Sequence, residues 1–412
     1  MTYTRLTVPQ RPANPRAMHR ERLVRIQEAL GRESLDAWLL CDFRGSDPIA
    51  YRVLGLPEDL VTTRRWGCLI PRSGQPRCLV SAVEPHVLES IPGDVIVYRT
   101  FEEHRRGLET ILGGMPRVAM QYSPDNGVPY VSRVDAGTVE LVRSLGAEVV
   151  SSADLVQEFE ATWTAAQLAS HERAAAILRR TVDRVFTRLA TADGATERQV
   201  QGWILEEFHA GGLVTSKPPI VAEGVHSADP HYGPDERHDA PIRRGSFVLI
   251  DLWAKEPDGV YADITWTGQV SETVDEEYER VFQIVRRGRD LAYELARDRV
   301  RGRTSVAGYE VDRAARGEIE RAGYGEYFVH RTGHSIGAEV HGNGANIDGY
   351  ETRDTRRLLP RTCFSIEPGI YLPGRFGVRS EIDVYVSEDD AVITGLPVQT
   401  AVVQILRMRP TA

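Results

Sequence analysis

The chain has 412 residues, a mass of 46.0 kDa and a formal net charge of -9, with 42% hydrophobic and 26% charged residues. One hydrophobic core stops growing at ~250–300 residues, so two domains are expected. The acidic balance argues against a nucleic-acid partner, and no apolar run reaches the ~20 residues that span a bilayer; a cytoplasmic protein acting on a small substrate is expected.

The first 23 residues, MTYTRLTVPQRPANPRAMHRERL, hold basic groups but neither an apolar core nor a small-residue cleavage site. They read as a tether or interface arm and not as a secretory signal. Met18 to Gly31 then places Leu23, Ile26 and Leu30 at helical spacing before a glycine stop. Strand-like runs follow at DAWLLCD, WGCLIP (66–71), PRCLVS (76–81), DVIVYR (94–99), RVAMQ (117–121) and AEVVS (147–151), with helical segments near 102–113 and 131–144. Strands alternating with helices indicate an α/β domain ending near residue 155. Cys41, Cys68, Cys78 and Cys363 lie far apart with no Cys-x-x-Cys pair, which fits reduced core thiols and no zinc ribbon.

An alanine- and arginine-rich helix from Thr164 to about Thr191 opens the second domain. After it come a helix at about 196–211, a GVHSADPHY loop (224–232), the run LIDLWAKEPDGVYADITWTG (249–268), helices near 275–299 and 304–322, and a strand-rich end from 360 to 408. No period of 20–50 residues recurs, which excludes solenoids and propellers. The division expected is 1–158 and 159–412.

The run 249–268 reads as two strands around a turn, with an aspartate inside each. If the turn is KEPDG (255–259), Ala254 faces Val260 and Asp251 lies opposite Asp263, where like charges roughly 4.5–5.5 Å apart at Cβ are destabilising. A shared proton would relieve this, a divalent cation would do so more fully, and the bland alternative is a turn with one aspartate capping and the other exposed. Downstream, HRTGHSIGAEVHGNG (330–344) holds three histidines, and FSIEPGIY (364–371) and GVRSEIDVYV (377–386) each place a glutamate in an apolar strand. Asp251, Asp263, Glu367 and Glu381 sum to -4, the charge that two divalent cations neutralise, and one neutral imidazole would complete a dinuclear site.

The ordered set Asp251, Asp263, His334, Glu367 and Glu381, in LIDLWA, YADITWT, HRTGHSIG, SIEPGIY and GVRSEIDV, resembles the prolidase, aminopeptidase P and creatinase family of pita-bread metallopeptidases. The resemblance implies an α/β (α+β) protein: a creatinase-like N-terminal domain serving oligomerisation and capping of the cleft, then a pita-bread catalytic domain. It implies two divalent ions, from manganese, cobalt, zinc or iron with manganese or zinc favoured. Asp251 would chelate one, Asp263 and Glu381 would bridge both, and His334 and Glu367 would complete the second. His231, in DPHYG, and His341 match histidines that line the substrate, and Glu367 would shuttle the proton to the departing imide nitrogen. Arg353, fourteen residues before Glu367, and Arg379, two before Glu381, match arginines of the prolidase pattern; a bidentate arginine suits the free carboxylate of a dipeptide.

The resemblance therefore implies a homodimeric Xaa-Pro dipeptidase acting on small peptides, with Xaa-Pro aminopeptidase as the alternative and a metal-dependent lyase using Arg353 and Tyr261 as a more distant one. Creatinase lacks the ligand set kept here, and an inactive binding module would be expected to have lost a ligand. His330 is expected to be structural. The family pattern usually has arginine at Trp266, glycine at Ser335 and an acidic residue at Gly342; these departures suggest an altered pocket.

Overall fold

A computed structural model describes residues 15–57 and 59–408, so most of the expected N-terminal arm lies outside the described residues. The chain divides into two compact units, Met1–Val156 and Gln157–Ala412.

In the first unit the elements are α1 (Pro15–Arg32), β1 (Ala37–Asp42), α2 (Pro48–Leu54), β2 (Trp66–Pro71), β3 (Arg77–Ser81), β4 (Asp94–Tyr98), α3 (Phe101–Leu112), β5 (Arg117–Met120), α4 (Ala136–Ser144) and β6 (Glu148–Ser151). The six strands form one mixed sheet in the order β4-β3-β2-β1-β5-β6, antiparallel at β1/β2 and β2/β3 and parallel elsewhere. Leu39, Leu69, Leu79 and Val118 from the strands pack with Leu108, Ile111, Val139 and Val142 from α3 and α4. The helical segment expected at 131–144 begins later, at Ala136. Asp135 caps it by accepting the Thr138 N–H, while the Arg133 and Val134 N–H groups bond to the Gln121 carbonyl and so cannot join a helix. The short α2 had no sequence-level periodicity; Asp47 caps it, with Pro48 in its first turn. All four cysteines are free thiols, and Cys68, Cys78 and Cys363 are buried.

The helix α5 (Ala153–Glu160) carries the chain into the second unit. There the elements are α6 (Ala165–Leu189), β7 (Ala195–Thr196), α7 (Glu197–Ala210), β8 (Ile220–Glu223), β9 (Pro241–Ile242), β10 (Phe247–Ala254), β11 (Ala262–Gln269), α8 (Glu276–Arg301), α9 (Gly308–Arg321), β12 (Ser335–Ile336), β13 (Cys363–Ile366), β14 (Gly369–Leu372), β15 (Phe376–Arg379), β16 (Ile382–Val386), β17 (Ala391–Thr394) and β18 (Val403–Gln404). Capping boxes at Thr164/Gln167 and Thr196/Gln199 start α6 and α7.

Two four-stranded sheets organise this unit, β18-β11-β10-β8 and β12-β13-β16-β17. In the first, Val248, Ile250, Leu252, Ile264 and Trp266 pack on Leu178, Val182, Val185 and Phe186 of α6 and Val200 and Ile204 of α7. In the second, Phe364, Ile366, Ile382 and Val384 pack on Ala292 and Ala296 of α8 and Val311 and Ala315 of α9. A strand's side chains alternate between faces, so the residues between these apolar positions, Asp251 and Asp263 in one sheet and Ser365 and Asp383 in the other, project from the opposite face.

The hairpin register differs from the sequence expectation. Ala254 faces Ala262, Trp253 faces Asp263 and Asp251 faces Thr265. The two aspartates share a face as diagonal neighbours and are not directly opposed. The connection is longer because Lys255 pairs with Val214 and the Tyr261 N–H donates to the Gly337 carbonyl, which draws both flanks of KEPDG to other partners.

Candidate metal centre

Each acidic residue reaches the centre from a different strand or strand end. Asp251 lies in β10, Asp263 in β11, Glu367 just after β13 and Glu381 just before β16. His334 precedes β12, held by its N–H donating to Ser365 Oγ at 3.0 Å and its carbonyl accepting the Ser365 N–H at 2.8 Å. This approach requires a glycine alongside: a Cβ on Gly333 would sit 1.9 Å from the Ser365 carbonyl oxygen.

Asp263, His334 and Glu381 each offer a ligand atom within 4.8 Å of the others, all buried. His334 Nε2 is 3.3 Å from Glu367 Oε1 and 3.6 Å from Asp263 Oδ2. Thr265 Oγ1 donates to Glu381 Oε2 at 2.8 Å, and Ser365 Oγ donates to Glu367 Oε1 at 3.1 Å. Asp251 Oδ2 accepts from Arg379 Nη2 at 2.5 Å.

Electrostatics set the chemistry of the cluster. Burial pushes the carboxyls of Asp251, Asp263, Glu367 and Glu381 up, Glu367 to about 7, and the neighbouring carboxylates add repulsion at Asp263 and Glu381. At Asp251, Arg379 opposes the shift. Burial also pushes His334 well below its ordinary range, so its imidazole is neutral. With Nδ1 directed at the Ser335 carbonyl, the unprotonated Nε2 faces carboxylate oxygens, and acceptors then confront acceptors. Asp251 Oδ1 and Asp263 Oδ1 are buried without a hydrogen-bond partner among the described residues. Converging acceptors of this kind, oxygen-rich with one imidazole, fit divalent cations of the hard to borderline type.

Arg379 is placed at the centre, but four of its five N–H donors are engaged by the protein. Besides Asp251 it donates to Thr265 Oγ1 at 3.1 Å, the Pro230 carbonyl at 3.1 Å and Tyr371 Oη at 2.8 Å. His330, expected to be structural, continues this chain through its Nε2, 2.8 Å from Tyr371 Oη, with Nδ1 2.6 Å from the Arg331 carbonyl. Tyr371 and Thr265 escaped the sequence reading; the signal lay in their strand parity with Arg379 and Asp263. His231 is exposed on its loop, and its charge bears on Asp251. His341 is also exposed, its ring edge-on to His334 at 4.3 Å between centroids. Arg353 is exposed, with its guanidinium over the Tyr309 ring at 5.1 Å.

Trp266 corrects an expectation. It lies on the face of β11 opposite Asp263 and Thr265, packed in the α6/α7 core with the Arg179 guanidinium 3.8 Å from its ring centroid, and does not shape a pocket at the metal centre. Ser335 and Gly342 form one unit of the loop that carries His341. The Ser335 hydroxyl accepts the Gly344 N–H at 2.9 Å, its carbonyl accepts the Gly342 N–H at 2.7 Å, and a Cβ on Gly342 would lie 3.1 Å from that hydroxyl.

Comparison with known proteins identifies the family. Residues 169–388, more than half of the chain, match the model of metallopeptidase family M24. A Mycobacterium tuberculosis protein named "Probable dipeptidase PepE" is 37% identical over 227 residues, 54% of this chain and 57% of its own length. The Xaa-Pro dipeptidase of Lactobacillus helveticus is 35% identical over 202 residues, 48% of this chain and 51% of its own. The chain thus spans little more than half the length of these curated relatives in sequence. Among solved structures, dipeptidase PepE from Mycobacterium ulcerans superposes with a TM-score of 0.66 at 27% identity, covering 94% of this chain and 98% of that one. The X-Pro aminopeptidase of Thermotoga maritima shares the fold, with a TM-score of 0.56 at 23% identity, covering 92% and 100%. With the candidate ligands inside the matched segment, the chain belongs to metallopeptidase family M24.

Proposed function

We propose that the chain is a dinuclear-metal Xaa-Pro dipeptidase that hydrolyses the imide bond before a C-terminal proline. The observation that carries this reading is the buried cluster of acceptor atoms from Asp263, His334 and Glu381, with Glu367 Oε1 3.3 Å from His334 Nε2, in a chain whose relatives include proteins named dipeptidases. Asp251 would hold one ion, Asp263 and Glu381 both, and His334 and Glu367 the other, with manganese or zinc as the ions expected. When bound, the ions supply Lewis acidity and an activated water.

The chain's own groups do the rest. Glu367, with Oε1 held by Ser365, carries a proton to the departing imide nitrogen. His231 and His341, both exposed, donate hydrogen bonds to the substrate carbonyl. Arg379 aims Asp251 through a hydrogen bond to its Oδ2 and opposes the upward shift that burial imposes on its carboxyl. Because four of the five Arg379 N–H donors are taken, recognition of the dipeptide carboxylate is assigned to Arg353, whose guanidinium lies over the Tyr309 ring. A homodimer, with the N-terminal domain contributing to the cleft, completes the proposal by resemblance.

One observation favours a second reading. With Arg379 engaged, Arg353 is the other of the two arginines that match the prolidase pattern, and an Xaa-Pro aminopeptidase needs no residue to select a C-terminal carboxylate. Manganese-loaded protein is expected to release proline from Gly-Pro or Leu-Pro, and Arg353→Ala to raise KM for these dipeptides while leaving kcat nearly unchanged. Cleavage of Xaa-Pro-Xaa tripeptides without cleavage of dipeptides would replace the dipeptidase with the aminopeptidase.

A further inference from the structure

The two halves of the metal centre sit on separate sheets, Asp251 and Asp263 on β10/β11 and the other three at the ends of β12, β13 and β16. Ligands on separate sheets can share an ion only if the seam between them is held. Along that seam the edge of β11 lacks a strand partner over most of its length, because β18 pairs with it only at Gly268 and Gln269. Its outward N–H groups are met by side chains instead: Thr267 donates to Gln399 Oε1 at 3.0 Å, and Asp263 donates to Asp383 Oδ2 at 2.8 Å.

Asp383 is fully buried in β16, two residues beyond Glu381, and faces Ser365 on one side and Thr394 on the other. Ser365 holds both His334 and Glu367. Thr394 is 2.6 Å from His171 Nε2, and His171, whose Nδ1 lies 2.7 Å from the Tyr261 carbonyl, backs Asp383 at 3.9 Å. An aspartate replaces apolar packing at the middle of a buried strand, and its Oδ2 accepts the backbone N–H of a candidate ligand on the other sheet.

We infer that Asp383 is a positioning residue that clamps the backbone of Asp263 across the seam and thereby sets the spacing between the two halves of the metal centre, with His171 and Thr394 backing it. The inference rests on Asp263 as a metal ligand. Ligand-orienting partners of this kind are commonly worth 10–100-fold in metal affinity.

The test is manganese titration of the chelator-stripped full-length protein by calorimetry, with circular dichroism and thermal melts run in parallel. Asp383→Leu removes the acceptor while keeping the branched shape and is expected to bind manganese roughly 10–100-fold more weakly while the circular dichroism spectrum is kept. Asp383→Asn keeps an oxygen for the Asp263 N–H and is expected to bind as the unaltered protein does. If Asp383→Leu does not fold, Asp383→Ser, too short to reach that N–H, carries the same comparison. A lower Tm with unchanged manganese affinity would reduce Asp383 to a structural residue and overturn the inference. Asp263→Ala separates the two layers: if it too binds manganese normally, the ligand assignment fails; if it loses the metal while Asp383→Leu does not, only the clamp fails.

Discussion

At the scale of single residues, the centre is governed by what surrounds each carboxyl. Burial raises the Asp251 carboxyl and Arg379 opposes that shift, so Arg379→Met removes the buried partner that favours its charged form. That variant is expected to lose about 3–5 kcal/mol of stability in the metal-free state, read from denaturant unfolding, and to bind metal more weakly. Asp263→Asn is expected to lose bound metal and activity while the circular dichroism spectrum stays unchanged; full activity with metal bound would remove Asp263 from the ligand set. His171 gives a pH signature of its own. Burial pushes it down to about 4, below the ~6.5 of an exposed histidine, so the unfolded chain takes up the proton first. The stability it contributes is complete above pH ~6.5 and falls as pH drops toward 4, with a limit of roughly 3 kcal/mol. Thermal melts of chelator-stripped protein across that window should slope less steeply for His171→Gln than for the unaltered chain.

At the scale of elements, the two sheets each commit one face to helices and leave the other to chemistry. The period-two pattern in β11 and β16 places Ile264 and Ile382 in helix-facing cores and Asp263 and Asp383 on the opposite side. The backbone approach between His334 and Ser365 is equally restrictive. Gly333→Ala would place a methyl 1.9 Å from the Ser365 carbonyl, forcing β12 away from β13 and displacing His334. Overpacking of this kind costs about 1–3 kcal/mol, and metal affinity is expected to fall together with Tm; normal metal affinity in that variant would mean that the loop adjusts without moving the histidine. The unit formed by Ser335, Gly342 and Gly344 explains two departures from the family pattern together: the serine hydroxyl occupies room that a side chain at either glycine would need.

At the scale of the whole molecule, the centre crowds four buried carboxyls, and burial, with mutual repulsion at Asp263 and Glu381, opposes their taking up negative charge. A cation that binds only the folded state offsets that charge, so added manganese should raise Tm with concentration and a chelator should lower it, following mass action. An unchanged Tm across a wide manganese titration would argue against a structural contribution from the ions. Among the described residues, no helix is long and apolar enough to cross a membrane.

The sequence by itself determined the alternation of strands and helices in the first unit, the helices and strands of the second, and the five candidate ligands, because local periodicity and the oddity of charges within apolar strands are properties of short segments. Tertiary structure decided the rest. The hairpin register turned on Val214 and Gly337, far along the chain from the aspartates they shift. The placement of Trp266 in the helix-facing core turned on which face α6 covers, and the engagement of Arg379 on Tyr371, Thr265 and Pro230. The clamp between Asp383 and Asp263 joins residues 120 apart in sequence. Such outcomes depend on which distant partner satisfies a buried donor or charge, and that is fixed only when the sheets and helices have packed.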